Sequence, residues 1–156
     1  MPAQSRLAAI ALALTLPAAP LLAQGMDPAA AAINARQSHM VLQQTFLMPL
    51  GGMAQGQIEY DAETAAAAAA NLAAVSSVDP RFYFPEGTSS ADMEGTKALP
   101  AIWENPEGFA EAWAALATAS TALAEVAGDG PEALQGAFGA VGAACGGCHR
   151  SFRQSE

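Results

Sequence analysis

From Leu134 onward the chain repeats an apolar or sulfur-bearing side chain at steps of four, three, four, three and four: Leu134, Phe138, Val141, Cys145, Cys148 and Phe152. Residues three and four apart share one face of a helix, and this spacing is the buried seam of a helix packed in a bundle. Both cysteines of the chain fall on that seam. Whatever they hold must therefore face the interior of an assembly of helices.

The residues around them say what that is. Cys145-Gly146-Gly147-Cys148-His149 is a Cys-x-x-Cys-His sequence, the attachment signal for c-type haem. On a helix the two thiols lie about one turn apart, so each can form a thioether with one haem vinyl group. His149, four residues beyond Cys145, can reach the iron through a ring nitrogen. Other uses of these residues fit less well. A thioredoxin-like pair needs a neighbouring βαβ pattern, which no stretch shows. A zinc site needs a fourth ligand, and the one other histidine is the distant His39. A disulfide across two residues leaves His149 without a role. We read one covalently attached haem c.

The 156 residues suffice for one domain, and the N-terminus stands apart from it. Arg6 precedes an apolar run from Leu7 to Leu16, and Pro17 to Ala23 leads into small residues. This is the pattern of a secretory signal peptide over 1–23, leaving 24–156 as the mature domain. The run is too short, and too interrupted by Pro17 and Pro20, for a membrane anchor of roughly 20 apolar residues. Covalent haem attachment in bacteria takes place outside the cytoplasmic membrane, so the expected location is the periplasm. The formal net charge is −9, which removes nucleic acid and anionic membrane surfaces as partners held by charge.

The remainder reads as helices. Asp27-Pro28 is a cap followed by proline at the first helical position, opening a helix to about Leu50, where Pro49 and Gly51-Gly52 are expected to break or kink it. Its three-four stripe of Ile33, Gln37, Met40, Gln44 and Leu47, with Arg36 alongside, meets a cofactor edge or forms a loosely amphipathic surface. A second, alanine-rich helix is expected over 58–78, with Ile58, Ala62, Ala65, Ala69 and Leu72 inward. Alanine favours the helix but buries little area, so a large macrocycle would make up missing apolar volume. Five prolines and glycines mark 79–105 as a long crossover loop. Phe82, Tyr83, Phe84, Ile102 and Trp103 are expected to pin it to the helices by core packing rather than by touching haem. Phe109, Trp113, Leu116, Ser120, Leu123 and Ala127 give a third seam, and Gly128 to Pro131 turns the chain into the last helix. The fold class is all-α, an antiparallel up-down four-helix bundle with haem between the helices.

With these residues in place, the sequence resembles the bacterial class II c-type cytochromes, the cytochrome c′ family, over essentially the whole mature chain. Arg36-Gln37-Ser38, Phe84-Pro85-Glu86-Gly87-Thr88, Ala101-Ile102-Trp103 and Cys145 to Arg153 carry the resemblance. It implies thioethers at Cys145 and Cys148 and His149 as proximal iron ligand. It also implies Arg153 beside the proximal haem face, Arg36 and Gln37 at the haem propionates, and Met40 over the distal face. Two readings follow at Met40. As a steric block it leaves five-coordinate iron that accepts electrons and binds nitric oxide or carbon monoxide. As a sixth ligand it makes a low-spin electron carrier. A nitric oxide reservoir or sensor without net electron transfer is a third role. No acid, base or nucleophile constellation accompanies the motif, so an enzyme is not expected. Redox proteins and small gases are the expected partners, with a homodimer through the first two helices. His39, about 100° around the helix from Met40, is expected at the surface.

Overall fold

The computed structural model describes residues 27–155. The expected signal peptide at 1–23 lies outside them. Four long helices form the body: α1 (Pro28–Ala54), α2 (Ala62–Ser76), α4 (Pro106–Val126) and α5 (Pro131–Phe152). A single turn, α3 (Ala101–Glu104), precedes α4. Around the bundle the neighbours are α1–α2, α2–α4, α4–α5 and α5–α1. Neighbours run antiparallel. Ser76 at the end of α2 meets Ser120 of α4, whereas Tyr60 before α2 bonds Ala127 after α4. Gly51 near the end of α1 abuts Phe138 near the start of α5.

Asp27, Asp61 and Asn105 cap three of the long helices, accepting hydrogen bonds from the amides of Ala30, Thr64 and Gly108. Each cap satisfies an N–H that the first turn leaves without an intrahelical partner. The Asp61 cap also corrects one boundary. α2 begins at Ala62, and Ile58 lies outside it and is half exposed.

A second correction concerns the end of α1, which runs through Pro49 to Ala54. Gly51 and Gly52 do not stop the helix. A Cβ at Gly51 would stand 3.1 Å from the Phe138 ring, and one at Gly52 would stand 3.1 Å from Ile58. The two glycines serve close approach, and tertiary packing overrides their low helix propensity.

The two ends of the bundle differ. At one end Leu50, Leu72, Leu123, Leu134 and Val141 are fully buried, with Ala65 and Ala69 between them. At the other, Ile102, Phe109, Trp113 and Phe152 form an aromatic cluster with Met40, Phe84 and Cys148 against it. The seams expected for the last two long helices run through both ends, with Trp113, Ser120, Leu123, Leu134, Val141 and Phe152 all buried.

The segment 77–105 stays at the aromatic end. α2 ends level with Trp113 and Ser120 of α4, where Trp113 Nε1 donates to Val78 O, so the connection must still travel back to Pro106 before α4 begins. Ala98 bridges to Arg153, Leu99 N–H donates to Phe152 O, and Gln154 N–H donates to Lys97 O. The loop is thereby stitched to the chain just after α5. Phe84, Ile102 and Trp103 turn inward as expected, and Trp103 Nε1 donates to Phe84 O. Phe82 does not pin the loop. It is 78% exposed, on a 3₁₀ turn set by the Asp79 cap.

Candidate haem site

The inner face of α1 is more polar than its stripe of apolar residues indicates. Arg36, His39 and Gln43 are buried, alongside Ile33 and Leu50. Gln37 and Gln44 are exposed, and Met40 is half buried. His39 is therefore not a surface histidine. It is 6% exposed, stacked on Trp113 with ring centres 5.3 Å apart and planes at 27°. Tyr83 covers it from the loop at 5.1 Å. Burial holds its imidazole below the usual histidine range, because desolvation disfavours the charged ring.

Between α1, α4 and α5 lies a crevice of two adjoining compartments, about 620 and 480 Å³. Both fall in the size range of ligand pockets. Met40, Val41, Trp113, Cys148, His149 and Arg153 line both. The larger compartment runs under the loop, past Phe84, Thr96, Ile102 and Phe109. The smaller runs past Gln43, Leu47, Leu116 and Cys145.

α5 presents the chemistry to this space. Cys145 and Cys148 are free thiols, each half buried. Burial pushes both upward in pKa, so they are protonated thiols and not reactive thiolates. His149 is lowered, first by burial and then by the Arg153 charge. A neutral imidazole with a bare nitrogen is the form that binds a metal.

Three expected haem contacts meet this crevice differently. Arg36 lines the larger compartment, but its guanidinium donates to Thr88 Oγ1 at 3.0 Å, to Tyr83 O at 3.4 Å, and to Thr88 O and Thr96 Oγ1. It also lies 5.2 Å over the Phe84 ring. Its paired donors are thus engaged by the loop. Gln37, exposed, also lines the larger compartment and donates to Gly95 O at 2.7 Å. Arg153 lines both compartments, its backbone fixed by the bridge to Ala98.

The residues fit a haem. Two free thiols one turn apart and a neutral histidine adjoin an apolar crevice large enough for a macrocycle. Among the described residues no group of three or more His, Cys, Asp and Glu could hold a metal ion. The donor set therefore suits a metal that brings its own in-plane ligands, not a bare ion.

Sequence reasoning placed Cys145, Cys148, His149, Met40, Arg36, Gln37 and Arg153 at one crevice, and all seven line it. It missed Phe84, Phe109, Trp113 and Phe152 as crevice walls and Gln43 altogether, and it put the buried His39 at the surface. The four-three seam identifies an inward side chain, but not whether that side chain faces another residue or a cavity.

The chain matches the family model described as Cytochrome C′ over residues 31–153. It is 41% identical to cytochrome c-554 of Cereibacter sphaeroides, covering 95% of this chain and 97% of that protein. The structure superposes on a cytochrome c′ from Rhodobacter Spheriodes with a TM-score of 0.80 and 37% identity, covering 82% of this chain and 98% of the other. It matches the nitric oxide complex of a variant cytochrome c prime from Alcaligenes xylosoxidans with a TM-score of 0.72 and 31% identity, over 82% and 97% of the two chains. Match, fold and crevice together make this chain a member of the cytochrome c′ family, with haem c as its covalently bound cofactor.

Proposed function

We propose that this protein is an exported, periplasmic monohaem cytochrome that accepts electrons and binds small uncharged gases at a five-coordinate iron. Cys145 and Cys148 are its thioether residues and His149 its proximal ligand. The observation that carries the reading is the crevice, which His149 and Cys148 border from α5 and Met40 borders from α1. The nitric oxide complex of the Alcaligenes xylosoxidans relative supports gas binding.

When bound, the haem supplies a redox-active iron with an open coordination position. The chain's own residues shape access to it. His149 offers a neutral ring nitrogen, and Arg153, one turn on, disfavours protonation of that ring. Met40 narrows the space facing His149. Trp113, Phe109 and Ile102 give apolar walls that exclude water. Arg36, Gln37 and Arg153 gather donors at the polar rim, where propionate carboxylates would find them. Arg36 would then share its guanidinium between haem and loop.

The same position of Met40 favours a second reading, in which its thioether is the sixth ligand and electron transfer is the whole function. A homodimer through α1 and α2 belongs to the proposal as well. Leu42 and Met48 are exposed on α1, Met48 at 67%, and support an apolar contact there. Redox proteins are the proposed macromolecular partners, and no enzymatic turnover is proposed.

The absorption spectrum of the ferrous protein, before and after carbon monoxide, separates the readings. A broad high-spin spectrum that shifts with the gas is expected. Sharp low-spin bands that ignore it would assign Met40 as ligand, and Met40→Ala would then turn the iron high-spin.

A further inference from the structure

The smaller compartment is walled largely by apolar and sulfur-bearing side chains, among them Met40, Leu47, Leu116 and Cys145. Gln43 lines the same space while itself only 5% exposed. Its Nε2 lies 3.1 Å from Nε2 of His39, one turn earlier on α1. That bond fixes one end of the carboxamide. His39 is itself held between Trp113 and Tyr83 and cannot swing away without unstacking.

The carboxamide so held belongs to a residue that lines the compartment. Among the described residues no buried side-chain polar atom lacks a hydrogen-bond partner, and Gln43 bonds within the protein to His39. A carboxamide has an acceptor oxygen and two N–H donors, and a neutral imidazole nitrogen can accept or donate according to tautomer. As placed, Gln43 Nε2 donates one N–H to His39 Nε2, which accepts, leaving the carboxamide oxygen and the second N–H for a guest. A leucine or methionine would fill this position without burying a polar group, which burial penalises unless it is paired.

We propose that Gln43, with His39 as its positioning residue, discriminates among small uncharged ligands in this compartment, favouring those that accept or donate a hydrogen bond over carbon monoxide. Gln43 is set about one turn from Met40, and both line the compartment that His149 borders. This inference rests on the haem placement proposed above and adds a polar determinant to it.

The test compares wild type, Gln43→Leu and His39→Leu, each haem-loaded. Two quantities are read: the C–O stretching band of the ferrous carbonyl complex, and the ratio of nitric oxide to carbon monoxide affinity. Gln43→Leu should shift the band and lower the ratio about tenfold, the factor one hydrogen bond supplies. His39→Leu should lower the ratio and split or broaden the band, because the carboxamide loses its fixed orientation. An unchanged band and ratio in Gln43→Leu would overturn the proposal. If wild-type iron refuses carbon monoxide, the five-coordinate reading fails separately. The same pair of measurements then runs on Met40→Ala with and without Gln43→Leu, where a shift supports the role of Gln43 and constancy overturns it.

Discussion

The two ends of this bundle solve the problem of a core in opposite ways. At the aliphatic end, α2 brings Ala65, Ala68 and Ala69 against its neighbours, and backbones approach closely around Leu50, Leu72, Leu123 and Leu134. Side chains alone fill that space. At the aromatic end, Phe109, Trp113, Phe84 and Phe152 surround a crevice, and the 77–105 segment is fastened over it by Arg36 and by pairing with the chain after α5. The first end is complete with its own residues. The second is a frame, and the haem proposed to sit there would provide the apolar volume inside it. Close packing is a general property of protein interiors, so the frame should depend on its guest in a way the aliphatic end does not.

The largest test of this contrast removes the tether. In the double variant Cys145→Ser, Cys148→Ser, hydrogen exchange should speed up strongly at 83–96 and 109–113. Amides near Leu72 and Leu123 should keep most of their protection. Equal loss at both ends would contradict the division.

Next in size is Leu123→Ala at the aliphatic end. Leu123 is fully buried, so the cavity left behind should cost about 2–5 kcal/mol, read from denaturant midpoints. The haem spectrum should not change. A spectral change of the size produced by a crevice mutation would show that the two ends are coupled.

Arg36→Met is expected to loosen the frame at the loop. It strips hydrogen bonds from Thr88 and Thr96, both buried, and should cost about 1–3 kcal/mol. Exchange should rise at 83–96 more than anywhere in α2. If the loop stays protected, its order comes from the bridge to Arg153 and not from the guanidinium.

The smallest effect lies at the cap of α2. The Thr64 hydrogen bond holds the Asp61 carboxyl below its ordinary value of 3.8. A depressed folded-state value gives stability that is present above pH 3.8 and is lost as pH falls through the lowered value. Amide exchange at Thr64 should therefore rise in strong acid. Asp61→Asn keeps the capping oxygen but cannot titrate, so it should remove that pH dependence. Persistence of the dependence in the variant would assign it to another group.

How far the sequence disclosed these features depends on where each residue finds its partner. The seams of α4 and α5 were legible because Phe109 to Ala127 and Leu134 to Phe152 are mostly apolar and evenly spaced. The inner face of α1 was not, because Arg36, His39 and Gln43 are polar and their inward direction is decided elsewhere. Arg36 is held by Thr88 and Thr96, 52 and 60 positions away, and His39 by a tryptophan on α4. Periodicity of apolar residues carries no record of such pairings. Pro49 and Gly51-Gly52 misled for a related reason, since the contact of Gly51 with Phe138 on α5 outweighs local propensity. The motif at Cys145 to His149 was legible because its chemistry depends on local spacing.

The most direct test of the central claim is mass spectrometry of the protein, secreted from a host able to attach haem, after full denaturation and proteolysis. The account predicts one haem carried by the peptide spanning Cys145 to Cys148, with neither thiol free to alkylate. A peptide of unmodified mass, with both cysteines alkylated and any haem washed away by denaturant, would contradict it.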